Sequence, residues 1–217
     1  MLIVFSLGSA AQEVAAPPSA ELPGATEINK VMKELSGITG FPVKKELPFA
    51  MVTRDQVNQF LKEQIRRSVK PNDIRAEEIT LKKFGFVPPD FDLKKTTIDL
   101  LTEQAAAYYD FHRRKLFISD WAAQNMRETA IVHELAHALA DQSFPIQKFL
   151  GKAADDSEQS LARESVVEGQ ASWLMIEVAA RRSGRTLANP ETAREFLKGD
   201  ENTTGEDSEY PVFSKAP

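Results

Sequence analysis

One stretch limits the folds open to this chain more than any other: residues 125–141, NMRETAIVHELAHALAD. It contains neither Gly nor Pro, and its apolar residues recur at helical spacing, which predicts a helix over Asn125–Asp141. Among the apolar side chains Ile131, Val132, Leu135 and Leu139 stand His133, Glu134 and His137. The two histidines are four residues apart, so a helix stacks them on one face, one turn apart, and both imidazoles can reach one ion. The chain has 217 residues and three histidines. An HExxH arising by chance in such a chain is an event of order one in a few hundred.

A catalytic zinc site takes three protein ligands, at about 2.0–2.2 Å for nitrogen or oxygen, and keeps an open position for water. The chain has no cysteine, so disulfides are excluded and a metal has to be held by histidines and carboxylates. Two imidazoles and one carboxylate favour zinc among the divalent metals. Glu134 is adjacent to the first histidine and projects towards the open side, where a carboxylate can take a proton from water. The third ligand comes from elsewhere. Asp141 shares the face of His133, but eight residues of helix separate them by about 12 Å, too far for one tetrahedral ion. Asp141 is therefore expected to orient a ligand or to make an ordinary hydrogen bond at the helix end. The next predicted helix, Glu158–Arg182, carries Glu164 and Glu168, also four apart. Glu168 is the chosen ligand. It lies in an apolar stretch (Val166, Val167, Ala171, Trp173, Leu174), with the small residues Gly169 and Ala171 expected to let two helices approach around an ion. Glu164, beside Arg163, is the alternative.

The rest of the chain reads as short elements. Helices are expected over Glu27–Leu35, Arg54–Arg67 (N-capped by Thr53), Asp73–Lys83, Leu93–Gln104 and Pro190–Leu197. Strands are expected within Lys44–Val52 and over Ala106–Asp110 and Lys115–Ser119, the last two joined by the turn Phe111-His112-Arg113-Arg114. Pro71 and Asn72 are expected to break a helix. Residues 151–157 and the acidic stretch 199–211 read as loops.

The net charge of −5 is spread over mixed signs with no basic block, which argues against nucleic acid as a partner. Met1–Leu7, MLIVFSL, precedes the small residues Gly8 to Ala11. That pattern fits the apolar core of a signal peptide and its cleavage site, although no Lys or Arg precedes it, and it is too short to span a bilayer. Export to the periplasm or beyond is the expectation, with no membrane span in the mature chain. Residues 12–25 read as a Pro-rich linker.

HELAH on one helix with EGQA on a later one resembles the gluzincin peptidases, the thermolysin-like group with HExxH and a distant Glu ligand. The resemblance extends over roughly residues 80–175. Leu100–Asp110 (LLTEQAAAYYD), Val132–Gln142 (VHELAHALADQ) and Val167–Ala171 (VEGQA) look like the motifs of an uncharacterised bacterial group of gluzincin-like proteins. It implies an α+β, mostly helical zincin-like domain with a small sheet or hairpin over the active-site helix. It implies Zn2+ on His133, His137 and Glu168, Glu134 as general base, and a peptide or protein substrate whose backbone pairs with an edge strand of the hairpin Ala106–Ser119. The chain then divides into a signal-like segment and linker (1–25), an N-terminal α/β portion (26–100) and a catalytic core (101–217), after which the related proteins carry more helical sequence. Thermolysin-like enzymes have an acid four residues after the Glu ligand; Ser172 stands there, which leaves the partner of the first histidine open. Tyr108, Tyr109 and His112 are the candidates for stabilising an oxyanion. The other reading of the same motifs is a non-catalytic zinc-binding or extracytoplasmic interaction domain on the same fold.

Overall fold

Local chemistry sets where most elements begin and end. In the computed structural model, which describes residues 24–152 and 156–201, helix α1 (Ala25–Thr39) ends at Gly40, whose φ of 73° closes it in the left-handed region. Thr53 and Gln56 form a reciprocal capping box at the start of α2 (Arg54–Ser68). Pro71 is the first residue of α3 (Pro71–Lys83), a position where its missing N–H costs nothing. Pro71 thus begins a helix as well as interrupting one. The Asp92 carboxylate accepts from Lys95 N–H and starts α4 (Leu93–Gln104).

Three strands form one sheet: β1 (Phe49–Val52), β2 (Ala107–Asp110) and β3 (Lys115–Ser119), in the order β1-β3-β2. β1 runs parallel to β3, with Phe49 opposite Leu116, and β2 runs antiparallel to it, with Tyr109 opposite Leu116. The strand expected within Lys44–Val52 is shorter than that range. Pro48 has no N–H for the ladder, and the amides of Lys44 and Lys45 go instead to Gln142 Oε1, at 2.8 and 3.1 Å. At the hairpin turn the Asp110 carboxylate accepts from the amides of His112 and Arg113, at 2.8 and 2.9 Å.

The remaining helices are α5 (Gln124–Ser143), α6 (Ile146–Gly151), α7 (Ser157–Arg182) and α8 (Pro190–Glu201). α6 has no counterpart in the expectations, because six residues are too few to display a period. The first residues of the expected acidic loop, 199–201, close α8. The rest of that loop, like the signal-like segment up to residue 23, lies outside the described residues.

The fold is α+β and mostly helical, with a small mixed sheet between two helical layers. Leu116, Ile118, Ala107 and Tyr109 pack on one face with α1, α5 and α7. Tyr108 and Phe117 point the other way, into a core with Val57, Leu61 and Ile98 of α2 and α4. Every side chain of β2 is buried as a result. Strands covered on both faces read as continuous apolar runs, which is why the hairpin shows little alternation of polarity in sequence. No helix among the described residues is long and apolar enough to cross a membrane.

Candidate metal centre

α5 runs through the middle of the larger core, against α1 on one side, α7 on another and the sheet on a third. Every residue from Ala130 to Asp141 is buried, so the expected apolar stripe is in fact a complete girdle. Alanines at 130, 136, 138 and 140 make this enclosure feasible, since they let neighbouring elements approach a helix on all sides. His133, Glu134 and His137 are buried with the rest.

The two imidazoles and the carboxylate of Glu168 meet at one point. Their ligand-type atoms all lie within 4.8 Å of one another. His133 Nε2 is 3.1 Å from His137 Nε2 and 3.1 Å from Glu168 Oε2, and His137 Nε2 is 3.1 Å from Glu168 Oε1. Ligands at about 2.0–2.2 Å in tetrahedral array stand roughly 3.3–3.6 Å apart, so the three need open by only about 0.2–0.5 Å to admit zinc. The donor set suits a cation in a second respect. Two ring nitrogens and a carboxylate facing one another hold together without a metal only if an imidazole carries its proton on Nε2. Burial opposes ionisation of Glu168, but the hydrogen bonds to His133 and His137 outweigh it and draw the carboxyl down to about 2. Burial also lowers the pKa of His137, which favours the neutral ring that a metal requires.

Glu134 is held from the sheet. Its Oε2 accepts from the backbone N–H of Tyr109 at 2.8 Å, while Oε1 is buried without a hydrogen-bond partner among the described residues. Burial pushes its carboxyl up to about 8, against the lowering effect of the Tyr109 amide, and the nearby charge of Glu168 adds to the rise. Tyr109 is also tied at its side chain: its hydroxyl donates to Asp141 Oδ2 at 3.1 Å, and Asp141 Oδ1 accepts from Ile146 N–H at 3.2 Å. Asp141 therefore makes the ordinary hydrogen bonds of a helix end, and through Tyr109 it links α5 to the strand that holds Glu134.

A solvent-open cleft of about 740 Å³ reaches Glu134, His137 and Glu168. Tyr108, stacked between Phe60 and Phe117, forms part of one wall, and Gln147 and Leu150 of α6 form part of another. All three oxyanion candidates, Tyr108, Tyr109 and His112, line the cleft, but Tyr109 has its hydroxyl committed to Asp141. Gln147 Nε2 lies 2.8 Å from His112 Nδ1. The α6 wall had no signal in the sequence, and neither did the Tyr109 amide, because a backbone group is the same in every residue.

Glu164 also lines the cleft but is not part of the group of three. The expectation for Gly169 is overturned. A side chain there would meet nothing within 4 Å, so Gly169 faces solvent, and the small residue in the helix contact is buried Ala171. On a helix, residue 169 is rotated about 100° from Glu168 and away from α5. His133 Nδ1 is buried without a hydrogen-bond partner among the described residues, so none of them orients the ring at that nitrogen. No protein-family model matches the chain, and no curated protein or solved structure does so either.

Proposed function

We propose that this chain is a zinc-dependent peptidase of the gluzincin type, with His133, His137 and Glu168 as metal ligands and Glu134 as general base. The observation that carries the proposal is the convergence of three ligand-type atoms, two of them buried, within 4.8 Å, at a cleft that the anchored carboxylate of Glu134 also lines. The α5–α7 pair with a small sheet packed on α5 supports the zincin-like reading of the fold. Zinc in this position supplies Lewis acidity towards a peptide carbonyl and acidifies water. Glu134 would take a proton from water at Oε1, the oxygen left free by the Tyr109 amide, as the water oxygen bonds to the carbonyl carbon, and would pass that proton to the amine nitrogen as the C–N bond breaks. Tyr109 N–H fixes the direction of that transfer by holding the other oxygen.

Among the described residues β2 pairs with β3 alone, and Ser119 N–H donates to Ala106 O, which sets the register of the ladder. In that register Ala107 and Tyr109 turn their backbone groups away from β3. The Tyr109 carbonyl therefore faces out of the sheet edge beside Glu134, which supports substrate binding by strand addition. The sequence of Met1–Ala11 supports an exported enzyme.

Metal content and turnover together test the reading. Purified wild type should hold about one zinc per chain. His133→Ala, His137→Ala and Glu168→Ala should lose it, and Glu164→Ala should keep it. Glu134→Gln should keep zinc and lose peptide hydrolysis by at least about 100-fold. A wild type that takes up no zinc overturns the proposal. Zinc bound without turnover of any peptide points to a non-catalytic metal domain.

A further inference from the structure

A second cleft lies at the N-terminal end of α5, bounded by the start of α1 and the end of α7. Arg127 lines it. The residue is 6% exposed, yet no hydrogen bond, ion pair or ring contact holds its side chain among the described residues. A guanidinium stays protonated and brings five N–H donors, so donors without a protein partner need water or an acceptor, and none of the Arg127 nitrogens is fully enclosed. The cleft is the route by which its nitrogens can be reached.

The start of α5, whose Gln124 also lines the cleft, adds donors beside it. Ala123 occupies the N-cap position and makes no side-chain cap. The amides of Gln124, Asn125 and Met126 therefore lack an intrahelical acceptor, at the positive end of a 20-residue helix. Helical side chains lean towards the N-terminus, which carries Arg127 back over this turn. The neighbouring charges are differently placed. Glu128 accepts from Gln124 Nε2 at 2.8 Å, and Arg182 donates to Glu34 at 3.1 Å. Glu27 lines the cleft from α1 but is exposed. The acids Glu27 and Glu128 at the rim favour a small monoanion over a dianion.

We infer that this cleft binds a carboxylate, whose oxygens take the fork of Arg127 and the free amides of the first turn of α5. The inference goes beyond the peptidase reading and does not depend on it. The ligand is either a free carboxylate or one carried on a peptide, and both present the same two oxygens to the same donors.

Thermal unfolding of the full chain tests it, with about 100 mM sodium acetate compared with sodium chloride at equal ionic strength. Binding to wild type should raise Tm by about 3 °C over chloride. Arg127→Gln should remove that specific part of the shift, leaving only what acetate does to any protein. If Arg127→Gln does not fold, Ala123→Asp serves: its own carboxylate caps α5, which should raise Tm in chloride and abolish the specific acetate shift. N-acetyl-aspartate amide separates the two sources. Stronger protection than acetate assigns the site to a peptide-borne carboxylate, and equal protection assigns it to a free one. Equal Tm values in acetate and chloride for wild type overturn the inference, as does an acetate shift undiminished in the variants. Loss of stability in Glu27→Gln equal to that in Arg127→Gln, with no acetate effect in wild type, assigns Arg127 to Glu27 instead.

Discussion

A carboxylate enclosed as fully as that of Glu134 resists ionising, and the consequence is measurable in the metal-free protein. Its folded-state pKa of about 8 lies above the ordinary 4.5. The folded state therefore holds this proton more tightly than the unfolded chain does. The stability it contributes is fully present below pH 4.5 and is lost as pH rises through about 8. Glu168 has the opposite sign: held down to about 2, it stabilises above pH 4.5, and that contribution is lost as pH falls. Glu134→Gln keeps the acceptor for Tyr109 N–H and removes the titration. In chelator, urea unfolding of this variant should show a smaller loss of stability than wild type between about pH 5 and about pH 9. At the upper end it should be the more stable of the two, by an amount of order 2 kcal/mol. Parallel pH profiles for the two proteins would show that Glu134 ionises without strain.

At the scale of elements, α7 and β2 position the site in different ways. α7 delivers Glu168 on a face that also buries Ala171, while Gly169 looks outward. Gly169→Ala should therefore leave zinc content unchanged and raise stability by about 0.5–1 kcal/mol, the usual gain from removing a helix-interior glycine. A loss of zinc in that variant would mean that α7 needs its flexibility there. β2 holds Glu134 by a backbone amide and α5 by a side chain. Tyr109→Phe deletes the hydroxyl given to Asp141 but not the amide given to Glu134. It should cost about 1–2 kcal/mol in chemical denaturation while zinc binding persists. A zinc-free Tyr109→Phe protein would show that this link sets the metal site as well as the packing.

At the scale of the molecule, the three candidate ligands come from two helices that make the largest helix–helix contact of the fold. An ion bound there stabilises the folded state by mass action, because the unfolded chain has no preformed site. Stripping the metal should lower Tm by about 10 °C at zinc concentrations far above Kd. Returning zinc should restore Tm in wild type and fail to do so in His137→Ala. An unchanged Tm after complete removal would place the metal outside the folding unit.

Much of the local structure can be read from the chain alone, because its causes are local. Thr53 and Gln56 cap a helix wherever they fall three apart before an apolar period, and Leu93–Gln104 begins where Asp92 can cap it. The spacing of His133 and His137 puts two imidazoles on one face of any helix that contains them. Non-local placements are different in kind. Glu164 and Glu168 offer the same side chain on the same helix, and only the way α7 packs on α5 decides which carboxylate lies 3.1 Å from the histidines. Gly169 and Ala171 are both small, and only packing decides which of them faces the neighbouring helix. The Tyr109 amide reaches Glu134 because β2 is the sheet edge that faces α5, a fact set by strand order. Arg127 is buried where residues of α1 and α7 lie beside the start of α5, a placement that no local pattern carries. Local elements follow from neighbouring residues a few positions apart, whereas the site depends on contacts between residues 25 and 35 positions apart, which only packing brings together.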